Sequence, residues 1–136
     1  MKKRILQYIF LLLVLTACGR EKALSLPSPE SLSEIVLTTE DGKEVARIRE
    51  NDAIAAFLDL LGNDAKYHGE SVNDQPTNVE DYDIVRFHHT DPEDERVAYL
   101  YESHGKTYIE QPYAGIWQIQ TDALDRLIVE NARSER

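Results

Sequence analysis

The side chains able to do chemistry in this 136-residue chain are four histidines, 25 aspartates and glutamates, a group of tyrosines with one tryptophan, and one cysteine. Histidine beside carboxylate invites a metal ion. His88 and His89 are adjacent, however, and neighbours on a strand point to opposite faces and cannot share an ion; no His-Glu-x-x-His or Cys-x-x-Cys pattern helps them. Two loops, Asp74 to Asp83 and Asp91 to Glu95, are rich in the oxygen ligands calcium prefers. Neither has the EF-hand spacing with its glycine and terminal bidentate glutamate, so both read as solvated acidic loops. The sequence therefore predicts no metal and no cofactor. For nucleophilic catalysis there is no Gly-x-Ser-x-Gly elbow and no glycine-rich phosphate loop, and four of the serines cluster between positions 25 and 33. A glycosidase-type pair of carboxylates is not marked out from the other acids, and no catalytic residue is assigned.

The aromatic set carries more information. Tyr99 and Tyr101 are two residues apart and share one face of a predicted strand, Tyr108 lies on the next strand across a tight turn, and Tyr113 and Trp117 follow. Such rows stabilise paired strands on a half-exposed face. Tyr and Trp also give large contact area at low entropic cost and are enriched at binding hot spots. Tyr99, Tyr101, Tyr108, Tyr113 and Trp117 are thus the candidate binding residues, and the acidic loops beside them would suit a protein or peptide of basic character.

The lone cysteine, Cys18, cannot form an intramolecular disulfide or a Cys-based zinc module. Its chemistry is indicated by what precedes it. Lys2, Lys3 and Arg4 make a basic start, and Ile5 to Leu15 is apolar except for Gln7. That run is too short for a hydrocarbon core of about 30 Å, which takes about 20 residues, but suits the h-region of a signal peptide. Leu15-Thr16-Ala17-Cys18 resembles the lipobox of bacterial lipoproteins. The resemblance implies that the Cys18 sulfur accepts a diacylglyceryl group and that cleavage makes Cys18 the first mature residue. Residues 1–17 are then the signal peptide, and the mature chain carries 12 basic against 25 acidic residues, a net charge of −13 rather than −10. The acidic balance excludes nucleic acid as a principal partner, and an anionic membrane would repel the domain, leaving the lipid as its anchor.

Several elements must position these groups. Residues 18–33, with Pro27, Pro29, Ser25, Ser28, Ser31 and Ser33, read as a disordered tether, and residues 34–136 as the folded domain. Ile35 to Thr39 and Glu44 to Ile48 flank an Asp41-Gly42 turn and predict a hairpin. Asn51 then caps a helix whose Ile54, Phe57, Leu58 and Leu61 form an apolar stripe ended by Gly62. Residues 63–81 read as a long loop, with a short strand near Tyr67 as one option. Tyr82 to His89, Arg96 to Ser103, Lys106 to Glu110 and Gly115 to Gln120 predict an antiparallel meander, and Thr121 caps a second helix bearing Leu124, Leu127 and Ile128. The expected architecture is α+β: a mostly antiparallel sheet of about five to six strands, order ββα-ββββα, with both helices on one face.

Tyr108-Ile109-Glu110-Gln111-Pro112-Tyr113-Ala114-Gly115-Ile116-Trp117-Gln118-Ile119, together with the Ile35 to Ile48 hairpin, resembles a family of small Gram-positive lipoproteins assigned to a domain of unknown function, over roughly residues 33–130. The resemblance implies an envelope location in a Firmicute-type cell, at the outer face of the cell membrane, and supplies no activity and no functional residues. In physical terms the segment is a proline-broken turn into the last strand, with Gly115 where a Cβ would be awkward and Trp117 half-buried. The functional expectation is a lipid-anchored, non-enzymatic module that captures a protein or peptide, of inhibitor or immunity type. Alternatives are a structural or accessory envelope component, or a small-ligand sensor with the 63–81 loop as a lid; a third, a hydrolase, would need two carboxylates or a His-carboxylate pair converging in a cleft.

Overall fold

The computed structural model describes residues 22–134. After a short 3-10 turn at Pro29–Ser31 come β1 (Leu32–Thr39), β2 (Glu44–Ile48), α1 (Asn51–Gly62), β3 (Lys66–Gly69), β4 (Asp83–His89), β5 (Glu95–Ser103), β6 (Lys106–Gln111), β7 (Gly115–Ile119) and α2 (Thr121–Ser134). The fold is α+β, and its seven strands make one antiparallel sheet in the order β2-β1-β4-β5-β6-β7-β3. The strand count exceeds the sequence expectation by β3, which pairs with β7 at the far edge: Tyr67 lies opposite Trp117. Because β2 and β3 are the two edge strands, the connection through α1 traverses the sheet from one edge to the other.

Local sequence explains the turns. Gly42 takes φ +89° in the β1–β2 turn, where Thr39 and Lys43 close the hairpin at 2.8 Å. His104 and Gly105 both have positive φ, 53° and 75°, as a two-residue type I′ hairpin requires. Asn51, the expected cap, is instead the first residue of helix α1: Glu50 is the N-cap, no side chain caps the helix, and the Ile54 amide donates to the Glu50 carbonyl at 2.9 Å. Thr121 at the start of α2 bonds Thr107 across the sheet end, Oγ1 to Oγ1 at 2.6 Å.

The apolar stripe of α1 (Ile54, Phe57, Leu58, Leu61) and Leu124 of α2 join Ile35, Leu37, Ile48, Val85, Phe87, Leu100, Ile109 and Trp117 in one core, so both helices cover the same face. Each such side chain, fully buried, contributes about 1.5–3 kcal/mol. Residues expected to form a free tether also belong to the folded unit. Leu24 and Leu26 pack against the core, the Trp117 indole donates to the Lys22 carbonyl at 2.8 Å, and Gln111 Nε2 donates to the Ser25 carbonyl at 2.6 Å. The correction has a simple cause: two leucines spaced like strand residues find apolar surface that their Pro- and Ser-rich neighbours do not advertise. Cys18 and the signal-peptide segment lie outside the described residues.

Candidate functional site

The face away from the helices has two halves. Over β2, β1 and β4 it is ionic. Glu34 accepts from Arg47 Nη1 with both oxygens at 2.8 Å and from Arg49 Nε at 3.2 Å, while Arg47 also binds Glu44. Burial opposes ionisation of Glu34, yet the hydrogen bonds from Arg47 and Arg49 outweigh it and hold the carboxyl below its ordinary range.

Over β5, β6 and β3 the same face is aromatic. Tyr101 stacks with Tyr108 at 5.8 Å between centroids, His68 lies 4.8 Å from Tyr108, and Tyr82 meets Tyr99 edge-on at 5.3 Å. The segment between β3 and β4 is tied across this half. Ser71 Oγ donates to Glu110 Oε1 at 2.7 Å, Tyr101 donates to Glu110 Oε2 at 3.1 Å, and Tyr113 donates to Asp74 at 2.7 Å. Tyr108 and Glu110 are therefore buried although they face away from the core. Burial and then the Glu110 carboxylate push the Tyr101 phenol well above its usual range, so it stays a donor.

The segment from Gly69 reaches β4 at the opposite end of the sheet, and there a hollow opens. β4 starts at Asp83, opposite Leu100, whereas β6 continues alongside β5 as far as Ser103. Tyr101, Glu102 and Ser103 are thus paired on the β6 side alone, and their other edge borders a cavity of about 580 Å³. Its apolar lining is Val79, Leu100 and, from α2, Leu124 and Ile128; Thr107 and Thr121 also line it. Glu80, Asp81, Asp83, Glu102 and Asp125 supply carboxylates, and among the described residues no Lys, Arg or His lines it. A second hollow, of about 660 Å³, shares Asp81, Tyr82 and Asp83 and extends to Glu40 and Asp41 of the β1–β2 turn. Burial, and then the Asp81 charge, push the Asp83 carboxyl up. A cation brought to this end would relieve that repulsion.

The structure separates the five aromatic candidates. Tyr99 and Tyr101 are partly exposed on the open face and Tyr101 lines the cavity; Tyr108 is buried under the crossing segment. Tyr113 is exposed at the β6–β7 turn, and Trp117 lies on the opposite face in the core, 2% exposed rather than half-buried. A Cβ on Gly115 would come within 2.8 Å of the Trp117 ring. The free edge of β5 and the carboxylates around it were not predicted as a site. The available signal was the offset between strand lengths, since the β5–β6 hairpin runs past the start of β4. Among the described residues, no three His, Cys, Asp or Glu side chains converge as a metal-binding group, and no helix is long and apolar enough to cross a membrane.

Residues 20–118 match the model of DUF5301, a family described as a domain of unknown function (DUF5300). The chain belongs to this family. The DUF5301 match begins at residue 20 and so takes in the segment, Lys22 to Ser28, that docks on the sheet. It ends before α2, whose Leu124 and Ile128 wall the cavity. The DUF5301 chain is similar in fold to the NMR structure of a protein from Ruminococcus gnavus, with a TM-score of 0.61 and 23% identity over 74% of this chain and 95% of that one. No curated protein matches it.

Proposed function

We propose that this chain is a lipid-anchored, extracytoplasmic binding protein whose ligand is a basic, extended segment of a protein or peptide. The anchor rests on the basic start, the apolar run and Leu15-Thr16-Ala17-Cys18. The binding reading is carried by one observation: the β5 edge at Tyr101–Ser103 lacks a partner strand where it borders a cavity rich in carboxylates. An extended segment laid along that edge gains main-chain hydrogen bonds, and its side chains meet an apolar wall on one side and acids on the other. The cavity also has the size of a small-ligand site, which are typically about 300–1,000 Å³. This favours, as a second reading, a compact organic cation.

Two experiments test the proposal. Cell fractionation of Cys18→Ala should move the protein out of the membrane pellet; a variant still wholly in the pellet would refute lipid anchoring. Fluorescence anisotropy with a labelled Lys/Arg-rich hexapeptide should give salt-sensitive binding that Asp83→Asn with Glu102→Gln weakens at least tenfold. An acidic hexapeptide that binds equally well would refute the charge-based reading. Competition by a short diamine at matched concentration would favour the small cation instead.

A further inference from the structure

We infer that the β6–β7 hairpin end of the sheet rests against the lipid surface and that the acidic cavity faces away from it; this rests on the lipid anchor at Cys18 proposed above. The chain leaves the described fold at Lys22. There its carbonyl is held by Trp117, its ammonium sits 5.8 Å from the Tyr67 ring centroid, and Ser25 is held by Gln111. Cys18 is four residues further back, a link of at most about 14 Å when fully extended. A free tether from Cys18 to Ser33 would have allowed about 50 Å and any orientation. With so short a link, the corner formed by Gln111, Gly115 and Trp117 stays at the headgroup layer.

What that corner exposes fits such a surface. Tyr113 is 67% exposed at its turn, and Val72, 68% exposed, lies between Ser71 and Asp74, which are tied to Glu110 and to Tyr113. A tyrosine ring with a polar tip belongs at a membrane–water interface, and the Lys22 ammonium, over the Tyr67 ring, can meet lipid phosphate. The acidic turn Asp91 to Glu95 is at the same end of the sheet, two strand positions or about 10 Å away. Thr107 of β6 lines the cavity and Gln111 of the same strand binds Ser25. One strand therefore runs from the anchored corner to the ligand site, and its far end points outward.

The mature lipidated chain, placed in phosphatidylcholine vesicles containing a headgroup-spin-labelled lipid, reads this directly. A fluorophore is attached through Tyr113→Cys in one preparation and Ser103→Cys in another; the Cys18 sulfur is consumed by the lipid and does not label. Quenching at position 113 should exceed that at position 103 at least threefold. Equal quenching, or stronger quenching at position 103, overturns the orientation. If the chain fails to bind vesicles and Cys18 still titrates as a free thiol, the anchor reading fails and takes the orientation with it. Twelve Gly and Ser residues inserted before Lys22 should collapse the difference, and undiminished quenching at position 113 would contradict the short link as its cause.

Discussion

Two ends of one sheet are built from the same strands and differ in how their edges are closed. At the hairpin end, β6 and β7 turn tightly at Pro112–Ala114, Trp117 and Gln111 hold the carbonyls of Lys22 and Ser25, and Ser71 and Tyr101 satisfy buried Glu110. At the other end, β5 runs past the start of β4, and the groups around its open edge are acids. Buried polar groups that find partners rigidify a region, whereas an unpaired edge is a template for another chain. Under the proposed function, the difference separates a structural end from a recognition end, and the aromatic candidates Tyr99, Tyr101, Tyr108, Tyr113 and Trp117 are spread over both.

Substitutions can break that contrast, and the largest effect is expected at the hairpin end. Trp117→Ala removes a core side chain and the donor to Lys22, and should cost about 3–5 kcal/mol in urea-induced unfolding, while leaving any residual folded fraction able to bind the basic peptide. Glu110→Ala leaves buried Ser71 without its partner and Tyr101 without its acceptor, for a loss of about 1–3 kcal/mol. Increased proteolytic cleavage between Gly69 and Asp83 would accompany it.

The pH dependence sharpens the comparison with two effects of opposite sign. Glu34 has a folded value held below its ordinary 4.5. Its contribution, below about 1 kcal/mol for a pair near the surface, is therefore present above that pH and lost as pH falls through the folded value. The stability difference between the wild type and Glu34→Gln should vanish in acid. Asp83 has a folded value raised above 3.8, so folding favours its protonated form and its charge costs stability at neutral pH. Asp83→Asn should be slightly more stable than the wild type at pH 7, and the gain should fade as pH falls toward 3.8. A loss of stability in Asp83→Asn at pH 7 would mean that the carboxylate has a stabilising partner.

Much of the architecture was legible because it follows local rules. The Asp41-Gly42 and His104-Gly105 turns, the stripe of α1 and the α+β class depend on spacing within a few residues. The placement of β3 was not legible, since four residues ending in glycine carry no strand periodicity and gain their pairing only from β7. The sequence reads Trp117 as half-buried and not as core, although Gly115, Trp117 and Ile119 alternate with Ile116 and Gln118 and the small Gly115 makes room for the ring. The docked segment was hidden because Leu24 and Leu26 sit among Pro and Ser, so composition pointed to disorder while two side chains decided otherwise. Of the candidate site, Tyr101 was anticipated; the edge it belongs to required knowing where β4 begins.

The central claim, that ligand is taken at the open β5 edge, is tested most directly by backbone amide chemical-shift mapping of the mature chain, lacking only its lipid, during titration with the basic hexapeptide. The account predicts shifts concentrated at Asp81 to Asp83 and Tyr101 to Ser103, with Gln111 to Gly115 unmoved. Shifts centred on Tyr113 and the hairpin end, or equal shifts with an acidic hexapeptide, would contradict it.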